Sequence, residues 1–184
     1  MGKTLAIHWA GTTHGTWLHG DLRGSWREGR LIGPDPFLKA AATARMKHDS
    51  VFLDTVERTL VVEAFGEIVR EQRHQVLAAT IQASHFHLVL APLREEIETV
   101  IARFKRRSAA AVLGRRREIG MEAPRSLWTG GKFLTFIFSE LHLWNTIEYV
   151  RRHNRREGLP DDPYDWIRPP LKYKALPNQD GSAI

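Results

Sequence analysis

The sequence predicts an α+β fold: a ferredoxin-like antiparallel sheet with helices on one face, followed by a further C-terminal helix. Two observations predict it. Stretches whose apolar residues alternate, as in strands, are interleaved with stretches whose apolar residues recur every three or four positions, as in helices. Their order is strand, helix, strand, strand, helix, strand, helix, and the first six match the split β-α-β plan. A chain of 184 residues is long enough for one such domain with its own core.

The first strand is expected over residues 4–10. Residues 11–24 are rich in glycine and threonine, which predicts a shaped loop rather than a regular element. A short helix is predicted over residues 37–47, just after two prolines. A longer helix is predicted over residues 54–72, because Val56, Leu60, Val61 and Phe65 lie along one side of it.

Two adjacent strands are predicted over residues 74–83 and 84–91, and Pro92 ends the second. The next helix places its apolar residues at helical spacing and its arginines on the opposite side. The apolar residues are Ile97, Val100, Ile101, Phe104 and Val112, and the arginines are Arg103, Arg106 and Arg107.

The last strand is predicted over residues 132–138, and the last helix runs from Ser139 to about residue 157. Gly158 suits the C-terminal end of that helix. The domain is therefore expected to cover residues 1–158. Residues 159–184 contain five prolines and are predicted to form an irregular tail that is disordered at its end.

Composition narrows the class of protein. Hydrophobic residues make up 42% and charged residues 26% of the chain, which is ordinary for a soluble globular protein. Without cysteine, disulfides and thiolate metal sites are excluded, and a reducing compartment, the cytoplasm, is expected. We expect neither a signal peptide, since the N-terminal apolar run is too short, nor a membrane span of about 20 apolar residues. The net charge of +6 and the pI near 10 favour a polyanionic partner, most often nucleic acid.

The strand-like run around His85-Phe86-His87 carries the first candidate site. Side chains alternate between the faces of a strand, so the two histidines point the same way, about 7 Å apart at Cα, and Phe86 points into the core. Neutral imidazole is a common ligand of divalent metals. Two polar residues on a half-exposed sheet would show the same pattern, so the pair alone leaves both interpretations open.

The last helix adds a tyrosine and a third histidine. Leu143, Ile147 and Val150 form its predicted buried stripe. Tyr149 lies about 100° round the helix from that stripe, and His153, four residues later, is its neighbour on the same flank. A tyrosine at the edge of the core and a histidine near a helix C-terminus are the structural alternatives.

Taken together, these residues resemble the HUH single-tyrosine transposases of bacterial insertion sequences, the IS200-like family, and their REP-associated relatives. In that family a His-hydrophobic-His pair closes a central strand, and a later helix presents a nucleophilic tyrosine with a third metal ligand four residues after it. Residues 12–24 and Trp128 also have counterparts there. The resemblance covers residues 1 to about 158.

The chain departs from the family at three places. Many members have proline and Asn or Asp before the histidine pair, whereas this chain has Ala83-Ser84. The third ligand is usually Gln or Asn where this chain has His153. The Asn-Pro that commonly follows the tyrosine is replaced by His153-Asn154. Both an active enzyme and a decayed copy are compatible with these differences.

The resemblance implies a transposase that nicks and rejoins single-stranded DNA through a 5′-phosphotyrosine at Tyr149. It also implies a divalent ion, Mg²⁺ or Mn²⁺, held by His85, His87 and His153. By ligand softness alone, three imidazoles would favour manganese, cobalt or zinc. Because metal–nitrogen bonds are about 2.1 Å long, the ring nitrogens are expected within about 4–5 Å of each other.

The expected partner is single-stranded or hairpin DNA in the nucleoid, with no membrane. Some members of the family dimerise with composite sites and others are monomers, so a homodimer is one of two options. Arginines on exposed faces would follow the DNA backbone; the candidates are Arg23, Arg103, Arg106, Arg107, Arg152 and Arg156. Two other functions remain: a non-catalytic nucleic-acid-binding module on a ferredoxin-like sheet, and a metal-dependent hydrolase in which Tyr149 is structural.

Overall fold

The computed structural model describes residues 3–22, 24–27 and 30–170. Strands and helices alternate within these ranges much as predicted. In chain order the elements are β1 (Ala6–Thr12), β2 (Ser25–Arg27), β3 (Arg30–Ile32), α1 (Pro36–Ala44), α2 (Thr55–Gln72), β4 (Val76–Ile81), β5 (His85–Leu90), α3 (Ile97–Glu118), β6 (Phe133–Ile137) and α4 (Glu140–Arg156).

The main sheet has the strand order β4-β5-β1-β6, and every neighbouring pair is antiparallel. This order is that of a ferredoxin-like sheet, so the predicted α+β class is confirmed. A small antiparallel hairpin, β2–β3, follows the glycine-rich segment; the sequence analysis did not predict it.

Two helices cover one face of the sheet and α4 covers the other. Trp9, Phe86 and Leu88 point toward α2 and α3 and are fully buried in the larger core cluster. Val89 and Ile137 point the opposite way and pack against α4. Alternation along each strand therefore separates a closed apolar face from the face that carries the two histidines of β5.

The first strand ends later than predicted. Gly11 and Thr12 still pair with Phe86 and His85, although both were assigned to the loop. A Cβ atom at Gly11 would lie 2.6 Å from the Phe86 ring, so glycine here allows β1 to lie close against that ring. The start of the glycine-rich segment is thus strand rather than loop.

The end of α4 agrees with the prediction. Gly158 has a φ of 73°, in the left-handed region that glycine adopts without strain. The irregular segment after it packs on the domain as far as residue 170: Trp166 and Ile167 are buried, and the Tyr164 hydroxyl accepts a hydrogen bond of 3.2 Å from the Ile81 amide. The predicted boundary at residue 158 stays a prediction. Residues 171–184, for which a disordered end was predicted, lie outside the described residues.

None of the described helices is both long enough and apolar enough to cross a membrane.

Candidate metal centre and tyrosine cleft

A cleft of about 660 Å³ lies between α4 and the histidine-bearing face of the sheet. The sheet contributes its floor, and α4 contributes one wall. The side chains that matter for chemistry are His8, His85, His87, Tyr149 and His153, with Trp17 and Phe133 at the rim.

Three histidines meet in this cleft. His85 and His87 lie on β5 opposite Thr12 and Ala10 of β1, and the small side chain of Ala10 leaves room beside the His87 ring. His153 reaches the pair from α4. One ring nitrogen of each histidine lies within 4.8 Å of those of the other two. The spacing of about 4–5 Å predicted from the sequence is therefore confirmed.

Burial keeps two of these three histidines uncharged. It lowers the pKa of His87 to about 2, helped by the charges of the neighbouring histidines, and it lowers the pKa of His153, to which Arg156 adds. At neutral pH both rings are thus neutral and keep a lone pair for a metal. This donor set fits one divalent ion.

Tyr149 shares the cleft with the three histidines. Its ring centre lies 4.8 Å from that of His153 and 5.3 Å from that of His87. The side chain is 46% exposed, whereas Ile147 and Val150 are fully buried. Tyr149 therefore lies off the buried stripe, as predicted, and its side chain is partly open to solvent.

Polar contacts at its C-terminal end hold α4 against the sheet. The buried Asn154 amide donates to the Ala79 carbonyl of β4 and to the Asp161 carbonyl, each at 2.9 Å. Arg151, also buried, forms an ion pair with Asp162. Because β4 and the segment after α4 are both bonded to the helix, Tyr149 and His153 keep their positions over the histidine pair.

Sequence analysis missed His8, a histidine on the floor of the cleft. Its Nε2 lies 3.0 Å from Nδ1 of His87, and both side chains are buried. Burial, together with the charges of His142 and His153, lowers the pKa of His8 to about 4. Only the register of β1 against β5 brings the two rings together, and no local pattern around residue 8 encodes that register.

The predicted DNA-binding arginines fall on different faces of the molecule. Arg103 and Arg107 lie on α3, beyond the closed face of the sheet, and are engaged with Glu95 at 2.8 Å and Glu71 at 2.7 Å. Arg106 is exposed on the same helix. The other candidates are Arg152 and Arg156, exposed on α4 beside the tyrosine, and Arg23, which lies outside the described residues.

Comparison with known proteins gives a family and a fold. The family described as "Transposase IS200 like" matches residues 41–153, more than half of the chain. No protein of curated function matches the sequence. Among solved structures, the chain is similar to a REP-associated tyrosine transposase bound to a REP hairpin, with a TM-score of 0.50 and 9% identity over 86% of this chain and 72% of that one.

Two further solved structures are similar at lower scores. One is a protein assigned as a transposase from Deinococcus radiodurans (TM-score 0.45, 15% identity, 83% of this chain and 92% of that one). The other is the tRNA(His) guanylyltransferase of Saccharomyces cerevisiae (TM-score 0.46, 8% identity, 85% and 61%). At 9% identity, the similarity to the REP-associated tyrosine transposase shows the fold alone. The two structures with lower scores carry no argument about chemistry.

Proposed function

The chain belongs to the IS200-like transposase family, and on that basis we propose that it nicks and rejoins single-stranded DNA through a covalent bond between Tyr149 and a 5′-phosphate. One observation carries the proposal: an exposed tyrosine lies in contact with a cluster of three histidines in the same cleft. A tyrosine with a purely structural role would not need potential metal ligands beside it.

In the proposed reaction the Tyr149 hydroxyl oxygen attacks phosphorus, and the bond between phosphorus and the 3′-oxygen breaks. The products are a 5′-phosphotyrosine and a free 3′-hydroxyl, which gains the proton that the phenol loses. Rejoining reverses the exchange, since a 3′-hydroxyl attacks the phosphotyrosine and releases the phenol. Each step replaces one phosphoester bond by another, so no other source of energy is needed.

Tyr149 needs help from the cleft because an unperturbed phenol has a pKa of about 10 and is a weak nucleophile at neutral pH. His85, His87 and His153 would hold the divalent ion, Mg²⁺ or Mn²⁺. Such an ion, when bound, stabilises the negative charge that develops on the phosphoryl oxygens. The protein's own part is placement: α4 keeps Tyr149 one helical turn from His153, so the nucleophile and the ligands face the same phosphate.

The DNA strand is proposed to lie along α4. His142, Asn145, Tyr149, Arg152 and Arg156 recur every three or four residues and are all exposed, so they form one polar stripe on the helix. Two guanidinium groups on the C-terminal side of Tyr149 would bind backbone phosphates. Neither Arg152 nor Arg156 forms an ion pair with another of the described residues.

The arginines of α3 contribute less to this proposal. Arg103 and Arg107 are already paired with glutamates, on the far side of the sheet from the cleft. Arg106 and Arg23 stay predictions. Because Tyr149 and the three histidines come from one chain, the proposed site is complete without a homodimer. A DNA substrate would place the protein with the nucleoid in the cytoplasm.

A covalent adduct tests the function directly. The protein would be incubated with Mn²⁺ and a randomised single-stranded oligonucleotide library, and denaturing gels would detect protein joined to DNA. Wild type should form the adduct and Tyr149→Phe should not, although the variant keeps the ring and its packing. Tyr164→Phe is the matched control, since Tyr164 bonds to β4 outside the cleft.

The other outcomes separate the remaining functions. Binding of DNA by wild type without any adduct would indicate a non-catalytic nucleic-acid-binding module. Cleavage that survives Tyr149→Phe would instead indicate a metal-dependent hydrolase in which water replaces the tyrosine. Either result would refute the phosphotyrosine mechanism.

A further inference from the structure

His8 has a direct hydrogen bond to one of the proposed metal ligands. The 3.0 Å separation between His8 Nε2 and His87 Nδ1 is that of a normal hydrogen bond. Each side chain is only 8% exposed, so water cannot easily replace the partner. The two ring planes are inclined by 29°, with centres 5.2 Å apart.

A hydrogen bond between two neutral imidazoles fixes the proton on each ring. One nitrogen must donate and the other must accept, because a neutral imidazole carries a single N–H. If a metal uses Nε2 of His87, the proton of that ring lies on Nδ1. His87 then donates to His8, which accepts at Nε2 and carries its own proton on Nδ1.

We propose that His8 is a positioning residue: by accepting a hydrogen bond from Nδ1 of His87, it orients the His87 ring so that Nε2 faces the ion. This rests on the proposed metal site. Nδ1 of His87 is engaged by His8, so Nε2 is the ring nitrogen that can meet His85 and His153. A ring without this bond could turn about its Cβ–Cγ axis and exchange its nitrogens for carbons, which do not bind metal.

A residue in this position contributes to affinity although it does not touch the ion. Partners of metal-bound histidines fix the ring orientation and the tautomer, and their loss typically costs about 10–100-fold in metal affinity. Those partners are usually carboxylates or backbone carbonyls. A neutral histidine in this role orients the ligand without adding negative charge to the site.

Calorimetric titration with Mn²⁺ tests the role in the wild type and three variants. His8→Leu keeps an apolar side chain in the buried position but cannot accept, so its affinity should fall about 10–100-fold. His8→Gln offers an amide oxygen as acceptor and should recover most of the wild-type affinity. His48→Ala is the control, since it removes a histidine that lies outside the cleft, beside Glu122.

Nitrogen-resolved NMR of the metal-free protein gives a second readout that does not depend on binding. His87 should be the Nδ1–H tautomer in wild type, and in His8→Leu this preference should be lost. Thermal unfolding of each variant shows whether it folds, and the His87 tautomer in the wild type tests the role even if His8→Leu is unstable.

The outcomes separate the two proposals. If wild type does not bind Mn²⁺, the metal site itself is refuted. If wild type binds and His8→Leu binds equally well, only the role of His8 is refuted. Equal losses in His8→Leu and His8→Gln would also refute it, because packing rather than hydrogen bonding would then explain the effect. An Nε2–H tautomer of His87 in the metal-free protein would overturn the assigned direction of the bond.

Discussion

Replacing arginines on two different helices should change DNA binding very differently. Arg152 and Arg156 are exposed on the tyrosine helix, whereas Arg103 and Arg107 are paired with Glu95 and Glu71 on the other side of the sheet. The perturbation is a double change to glutamine, made once in each pair. Both double variants lose the same formal charge, so any difference between them reflects position rather than net charge.

The expected change in the salt dependence of DNA binding follows from counterion release. Each phosphate contact contributes about 0.7 to the slope of log affinity against log salt for a single strand. Loss of the two α4 arginines should therefore lower the slope by about 1.4, and the advantage of wild type should shrink about sevenfold as salt rises from about 50 to about 200 mM. Loss of the α3 pair should leave the slope almost unchanged.

Fluorescence anisotropy with a labelled single-stranded oligothymidine measures both quantities. The titration is repeated at several salt concentrations for wild type and the two double variants. Equal changes in slope for the two pairs would refute the path along α4. A larger change for the α3 pair would place the DNA on the opposite side of the sheet. Tighter binding of a plain duplex would contradict the expected preference for single strands.

Three further results are expected. Chelation of metal should abolish adduct formation, and added Mn²⁺ should restore it. His87→Ala should bind no Mn²⁺ by calorimetry; if this variant still binds Mn²⁺, the ion lies elsewhere. Arg116→Met should lower the free energy of unfolding in urea by about 3 kcal/mol, because it leaves the Glu57 carboxylate, 1% exposed and bonded to Arg116 at 2.6 Å, without its main partner. Arg115 lies 3.6 Å from the same carboxylate, so a loss below about 1 kcal/mol would mean that Arg115 replaces Arg116. Burial raises the pKa of Tyr164 to about 12 in the folded protein, whereas the phenol has a pKa of about 10 in the unfolded chain. As the pH rises above 10, the unfolded state therefore loses the proton first, and the free energy of unfolding falls. Between about pH 9 and about pH 11, the free energy of unfolding in urea should fall by about 1 kcal/mol more for wild type than for Tyr164→Phe. Equal decreases in the two proteins would contradict this.

Elements with a clear local pattern could be predicted from the sequence. Alternation through His85, Phe86 and His87 indicates both the strand and the shared face of the histidines, and the structure places them so. The buried stripe of α4 likewise predicts that Tyr149 lies off the core. Both patterns depend only on a few neighbouring residues, so they can be recognised without knowledge of the tertiary fold.

Features that depend on partners far apart in the chain could not be predicted. His8 joins the cleft through the pairing of β1 with β5, 79 residues away in sequence. The arginines of α3 look alike in sequence, and only the fold shows that Arg103 and Arg107 are paired with glutamates. Residues 11 and 12 looked like loop because a glycine that fits against an aromatic ring resembles, in sequence, a glycine in a turn.

The segment after α4 has a consequence for how the sheet can associate. An edge strand exposes unpaired backbone groups to which another chain can add a strand. At β4 this edge is protected: the Val76 carbonyl accepts from the Arg168 amide at 2.7 Å, and the Ile81 amide donates to Tyr164. β6 forms the opposite edge, where Phe133 and Phe136 are 48% and 45% exposed. Strand addition is therefore disfavoured beside β4, and β6 is the edge whose Phe133 also borders the tyrosine cleft.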